Sequence, residues 1–283
     1  MSQPQIQGLL ASEWTAERGK KWRDQLPNME ATLSAIDAPL IAALRLDRPL
    51  RIAEIGCGGG STALEIIRQA PAGTSVHGYD ISPDLVELAR TRVGADGGIS
   101  FQVVDMGTAP APAEPYDRLL SRFGIMFFED PEKAFSNLAS WLAPGGRFAF
   151  AVWGPPAHNP WMSSFRDVAL QVLDVPAPDP DAPGPFRYGG GAKLLALLDT
   201  AGFGDLEMRD WRGMLPLGGG LSAPDAVEFA FRAFSVGDLL AEAGEPASSE
   251  VRRLLTERYA VHERDGAVRM DARVHVVTGC RPV

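Results

Sequence analysis

Three segments of the chain hold residues whose types and spacing could do chemistry. The first is Glu54-Ile-Gly56-Cys-Gly58-Gly-Gly60. Glycine there lets the backbone turn sharply and lets a ligand come close. The second is Asp80, 24 residues after Gly56, a carboxylate suited to the paired hydroxyls of a ribose. The third is Asp105-Met106. Its carboxylate can accept from an adenine amino group while the thioether packs on the ring. A glycine turn alone would serve a dinucleotide, another phosphate ligand or a nucleoside, and three details separate these. Ser61 stands where the G-x-G-x-x-G fingerprint requires glycine. Glu54 would repel a pyrophosphate, but it suits an ammonium group directly or through water. The lysine of a phosphate-binding G-x-x-x-x-G-K-[ST] loop is missing. Loop, acid, then acid plus apolar residue therefore read as a nucleoside groove.

Such a groove needs these residues at one edge of a sheet. Leu50 to Ile55 reads as a buried strand ended by the glycine cluster, and Thr62-x-x-Glu65 reads as a capping box opening a helix to about Gln69. Ser75 to Tyr79 is a second strand. Ser82-Pro83 then caps a helix through Arg92. Ile99 to Val104 and Asp117 to Ser121 are the third and fourth strands. Asp130-Pro131 opens a helix to about Leu142, Pro144-Gly145-Gly146 breaks it, and Arg147 to Trp153 is the fifth strand. This alternation predicts right-handed crossovers and an α/β fold with a doubly wound, mostly parallel sheet.

The flanks differ in texture. Residues 1–48 read as an N-terminal helical cap, with Trp14, Arg18 and Trp22 at four-residue spacing. Residues 154–190 are proline-rich around a short helix from Trp161 to Leu173. A helix from about Gly191 to Thr200 and a strand over Asp205 to Met214 follow. Residues 222–266 read as helical, and Arg273 to Thr278 as a last strand. The two insertions, 154–190 and 222–266, follow the fifth and sixth strands, where a lid over the carboxyl edge would grow. The domains are thus a cap, 1–48, and a cofactor-binding domain, 49–283.

Composition bounds the partners. The 283 residues are 45% hydrophobic and 22% charged, as in an ordinary globular chain. There are 27 Lys+Arg against 36 Asp+Glu, a net charge of −9, which disfavours a nucleic-acid partner. Cys57 and Cys280 form neither a disulfide framework nor a metal motif. The start lacks a charged region followed by an apolar run, and no apolar run approaches a membrane span. The expectation is a cytoplasmic protein with no membrane partner and no metal. The helical insertions suit either a lid or a homodimer surface.

The Glu54-x-Gly56-x-Gly58-x-Gly60 loop, Asp80, Asp105, Ser-Arg-Phe-Gly-Ile-Met-Phe-Phe (121–128) and Leu142-Ala-Pro-Gly-Gly146 resemble a class I S-adenosylmethionine-dependent methyltransferase. More narrowly, the chain is similar to a bacterial subfamily acting on small molecules. The shared features there are Trp14, Gly19 and Trp22, the segment Phe123 to Phe128, and Asn159 to Trp161. Thr15 departs from the asparagine common in relatives. The resemblance implies a Rossmann-like seven-stranded sheet with helical lid insertions and S-adenosylmethionine as cofactor. It implies Glu54 near the cofactor's amino group, Gly56 and Gly58 against its methionine and ribose portions, and Asp80 on the ribose. Ile81, Asp105 and Met106 would hold adenine, Ser121 and Arg122 would line the methionine moiety, and Trp22 would close the pocket.

The chemistry this implies is methyl transfer to O, N or C of a small, apolar or aromatic metabolite, in natural-product biosynthesis. Alignment of the acceptor supplies much of the rate, and a base is needed only where the nucleophile keeps its proton. His158, just after the fifth strand, is the base candidate, with His262 next; His77 and His275 lie within strands and read as structural. Phe123, Met126, Phe127, Trp153, Trp161, Phe186, Tyr188 and Phe229 are the candidate acceptor-pocket residues. Two other readings stand beside this one. One is an inactive methyltransferase-like module that binds cofactor or partners; the other is a nicotinamide oxidoreductase, which Ser61 and Glu54 disfavour.

Overall fold

Among the described residues, seven strands form one continuous sheet. The structure, a computed structural model, describes residues 11–93, 98–173 and 179–283. Residues 1–10 of the expected cap and 174–178 of the first insertion lie outside the described residues. The strands are β1 (Arg51–Ile55), β2 (Ser75–Asp80), β3 (Ile99–Val103), β4 (Tyr116–Arg122), β5 (Leu142–Trp153), β6 (Gly204–Pro216) and β8 (Ala267–Cys280). Their order across the sheet is β3-β2-β1-β4-β5-β8-β6, and a two-residue strand, β7 (Glu263–Arg264), pairs with β8 off this path. The first five pair in parallel, and β8 runs antiparallel to both β5 and β6. The order reverses beside β1, and such a switch point opens a crevice at the carboxyl ends of the strands.

The central strands are buried on both faces. Ile52, Ala53, Leu119, Leu120 and the run Phe148 to Val152 are all within 1% of complete burial, as a sheet covered by helices requires. The helices are α1 (Ala11–Trp14), α2 (Glu17–Asp24), α3 (Leu26–Leu33), α4 (Asp37–Leu44), α5 (Ser61–Gln69), α6 (Pro83–Arg92), α7 (Pro131–Trp141), α8 (Pro160–Val172), α9 (Ala192–Thr200), α10 (Ala223–Ala233), α11 (Val236–Ala243) and α12 (Glu245–Ala260). The caps of α6 and α7 form as expected: Ser82 Oγ accepts from the Leu85 amide, and Asp130 Oδ1 from the Lys133 amide. Among the described residues, no helix is long and apolar enough to cross a membrane.

Three local expectations are corrected. No capping box opens α5: its N-cap is Gly60 in the left-handed region, Thr62 donates to Asp37, and Glu65 binds Arg68 and Gln69. Pro144-Gly145-Gly146 does not precede β5 but lies inside it. The pairing with β4 slips there, and Gly145 instead donates to the Arg281 carbonyl. The last strand begins at Ala267, not Arg273. Val268, Met270, Ala272 and Val274 alternate inward along it, against Arg269 and Asp271 outward, so helix ends and sheet resumes before residue 266.

The N-terminal helices dock by close approach. A side chain at Gly19 would meet the Trp14 carbonyl at 2.4 Å and Ser82 Oγ at 2.5 Å, so glycine lets α2 rest on the start of α6.

Candidate active site

A cavity of about 720 Å³ opens over the carboxyl ends of β1 to β5. Its floor at one end is Glu54 to Gly59 with Asp80, Ile81, Asp105 and Met106. Trp14, Arg18, Trp22 and Met29 from the first helices roof it. The other end is Phe123, Met126 and Phe127 beyond β4, Trp153 ending β5, Trp161, Phe165 and Arg166 of α8, and the segment Ala233 to Val236. Both insertions thus contribute wall. Trp14 and Val236 of this wall lie 222 positions apart in the sequence.

Asp80 organises the first end. Its Oδ2 accepts the Gly58 amide at 2.9 Å and its Oδ1 the Ser82 amide at 2.9 Å. Burial raises its pKa, and these backbone amides oppose the rise. Glu54 is 1% exposed, and its Oε2 has no hydrogen-bond partner. Burial pushes its carboxyl up to about 8, helped by Asp37 and Asp80 and opposed by Arg122. The carboxylate form of a buried group with an unpaired oxygen is stabilised by a cationic ligand. The ammonium of S-adenosylmethionine fits that demand. A side chain at Gly58 would meet nothing within 4 Å, so the loop is open to a ligand at that point.

Arg122, ending β4, grips Asp37 of α4 with two bonds, 2.9 and 3.0 Å, and reaches Ser61 Oγ at 3.0 Å. Arg92 likewise joins Glu30 at 2.6 Å to the Gly59 carbonyl at 2.9 Å. These links fasten the helical cap to the glycine loop. Asp105 is exposed at the rim, and its oxygens accept from the Gly107 amide and the Thr108 hydroxyl, both at 2.9 Å. Met106 is buried.

Phe123 sits at φ 69°, a region that a bulky residue enters only when its surroundings hold it there. Its ring stacks on Trp153 at 4.0 Å and 6°, and its amide donates to the Ala151 carbonyl. Trp14 meets Trp22 and Phe127 edge-on at 5.7 and 5.1 Å.

Other expected residues fall outside the cavity. Ser121 lies beneath the floor, donating to the Ile55 carbonyl at 2.8 Å and accepting from the Gly124 amide. Tyr188 packs near Phe135, and Phe229 near Phe234, neither on the wall. His158 is exposed with Nδ1 3.1 Å from the Arg273 guanidinium, because the short turn Pro156–His158 directs it across β8. No histidine is among the described wall residues. His275 is buried, with Nδ1 on Asp210 at 2.7 Å and Nε2 on the Gly189 carbonyl at 2.9 Å. His77 pairs with Ser100. Sequence reasoning missed Asp37, Glu30 and Arg166, whose roles rest on contacts remote in the chain, and assigned no role to Arg18.

Sheet order, glycine loop and strand-end acids together are those of a Rossmann-like, class I methyltransferase fold. Residues 52–146 match the family model described as a methyltransferase domain, and the chain carries a domain of that kind. A ubiquinone/menaquinone biosynthesis C-methyltransferase, UbiE, of Geobacter sulfurreducens is 27% identical over 187 residues, 60% of this chain and 71% of that one. A demethylmenaquinone methyltransferase of Thermus thermophilus is 36% identical over 126 residues, 44% of this chain and 57% of that one. The alignments thus span between about half and three quarters of these relatives. In fold, the YcgJ protein of Bacillus subtilis superposes with a TM-score of 0.57 at 14% identity, covering 88% of this chain and 99% of that one.

Proposed function

We propose that the protein methylates a small apolar or aromatic metabolite on O, N or C. The observation that carries this reading is the continuity of one cavity from the glycine loop to an aromatic chamber. When bound, S-adenosylmethionine supplies a methyl group already activated by its sulfonium charge. Glu54 would hold the ammonium, Asp80 the ribose hydroxyls, and Ile81 and Met106 the adenine faces. Phe123, stacked on Trp153, and Phe127, packed under Trp14, form flat walls that orient a ring or chain toward the glycine loop. The N-terminal helices and α8 wall the chamber. Orientation of this kind contributes about 7–11 kcal/mol in well-aligned intramolecular reactions. No histidine lies on the described wall to take a proton from the acceptor.

The test is a screen of small aromatic and acyl metabolites with S-adenosylmethionine, following S-adenosylhomocysteine release and the mass of the acceptor. A gain of one methyl on any acceptor supports the reading. Cofactor binding with no turnover across a broad panel contradicts it.

A further inference from the structure

Asn159 stands at the N-cap of α8, where its side chain would ordinarily accept an amide of the first turn. Among the described residues it makes no such bond. The residue is completely buried, and its side-chain amide is spent on the sheet and the turn behind it. Oδ1 accepts the Arg273 amide at 3.1 Å. Nδ2 donates among three carbonyls, those of Gly154 at 3.2 Å, Pro155 at 3.1 Å and Arg273 at 3.1 Å. The Gly154 amide adds a bond to the same Arg273 carbonyl at 2.8 Å. One side chain thus ties the end of β5, the turn after it and β8 to the start of α8. That set needs N–H donors and an acceptor on one group: aspartate lacks the donors, and an apolar residue lacks both. Asn159 forgoes the cap for the tie, so its type answers to where α8 must start and not to the helix's own first turn.

The corner carries the aromatic chamber. Trp153 ends β5 one residue before Gly154, and Trp161 follows Asn159 by two. Their ring centroids are 5.0 Å apart, and Phe123 stacks on Trp153. Met162, Phe165 and Arg166 of α8 continue that wall. None of the side-chain partners of Asn159 belongs to the glycine loop or to the strand-end acids.

Resting on the methyltransferase reading, we propose that Asn159 is a positioning residue for the acceptor. Acting through Trp153 and Trp161, it fixes the wall on which the acceptor lies, while the cofactor end of the cavity is set independently of it. A buried polar group with all its bonds made holds one arrangement of its neighbours. Without it, the start of α8 is free to shift along β8, and the wall loses its register with the methyl donor. A misplacement of about 1 Å in such a pair can cost about 10²-fold in rate.

The experiment compares steady-state kinetics of wild type and Asn159→Ala on the acceptors that wild type methylates in the aromatic and acyl panel, 1-naphthol, catechol and caffeate among them. The acceptor KM is expected to rise about tenfold or more and kcat to fall, while the S-adenosylmethionine KM and the calorimetric S-adenosylhomocysteine affinity stay within about twofold. Loss of folded protein alone would lower kcat and leave both KM values unchanged; that result overturns the proposal. A cofactor KM that rises in step with the acceptor KM overturns it too. If Asn159→Ala fails to fold, Trp161→Phe carries the test. The Trp161 indole N–H has no hydrogen-bond partner among the described residues, so the change sacrifices no such bond, and the same split between the two KM values is expected. An unchanged acceptor KM in that variant overturns the proposal. Methylation of no panel member by wild type overturns the methyltransferase reading itself; methylation without the split overturns this proposal alone.

Discussion

The Gly58 amide donates to Asp80 Oδ2 across 2.9 Å, joining the glycine loop after β1 to the end of β2. One carboxylate thus shapes the turn and faces the cavity. Asp80→Ala removes both contributions. We expect S-adenosylhomocysteine affinity to fall by about 1–3 kcal/mol and the melting temperature to drop. Unchanged affinity in calorimetry would remove Asp80 from the site.

The glycines of the loop should separate by role. At Gly60 a side chain would strike the Phe101 ring at 2.5 Å, and φ is 80°. Gly60→Ala should destabilise the fold by about 2–4 kcal/mol, from overpacking plus left-handed strain. At Gly58, with φ 52° and open space, Gly58→Ala should cost about 1–2 kcal/mol of stability and lower cofactor affinity more than Gly60→Ala does in the folded fraction. Thermal melts and calorimetry on both variants check this; equal effects on both quantities would contradict it.

Glu54 makes the unliganded protein pH-sensitive. Its folded pKa, about 8, lies above that of the unfolded chain, so between roughly pH 4.5 and 8 the folded state holds the proton that the unfolded state has released. Its contribution to stability therefore falls as pH rises through that window, by up to about 1.4 kcal/mol per unit, and levels off above it. Glu54→Gln should remove this component, so the difference between the variant and wild type in denaturant melts should grow from pH 5 to 8. A constant difference would show that Glu54 is already ionised. Ligand ammonium favours the carboxylate, so S-adenosylhomocysteine should bind wild type more tightly at pH 8 than at pH 6, and Glu54→Gln should lose that gain.

What the sequence made legible is local. Ser82-Pro83 and Asp130-Pro131 act within one turn, and they cap α6 and α7 as their types dictate. The glycine loop and strand-end acids were equally readable, since each sits at the end of its own strand. Thr62-x-x-Glu65 has the same local form, yet Thr62 is taken by Asp37, 25 residues away, and the cap is lost. Tertiary competition of that kind leaves no mark in a short window. The Val268, Met270, Ala272 alternation extends β8 ahead of the strand that reads over Arg273 to Thr278. The cap's part in the wall, through Arg18 and Met29, depended on how α2 and α3 dock and had no sequence signal beyond spacing.

The Arg122–Asp37 pair is 12% and 13% exposed and fastens α4 to the end of β4. Burial raises the Asp37 pKa even against Arg122 and Thr62. Arg122→Gln leaves that carboxylate without its cation, with only the Thr62 hydroxyl bound to it, and should destabilise by up to about 3 kcal/mol. The double variant Arg122→Gln with Asp37→Asn should recover part of the loss. A double-mutant cycle on denaturant melts checks this, and strict additivity would show that the pair is not coupled.

His158 lies outside the cavity and contacts Arg273. His158→Gln should therefore leave kcat within about twofold once an acceptor is in hand, below the 10²–10⁴-fold typical of losing a general base. A loss in that larger range would restore it as the base.

The central claim is that the strand ends form a nucleoside site for S-adenosylmethionine. Titration calorimetry of the purified protein with S-adenosylhomocysteine, beside an identical titration with NAD, tests it most directly. The account predicts saturable one-to-one binding of S-adenosylhomocysteine and no heat with NAD. Binding of NAD, or no binding of S-adenosylhomocysteine by the folded protein, would contradict it.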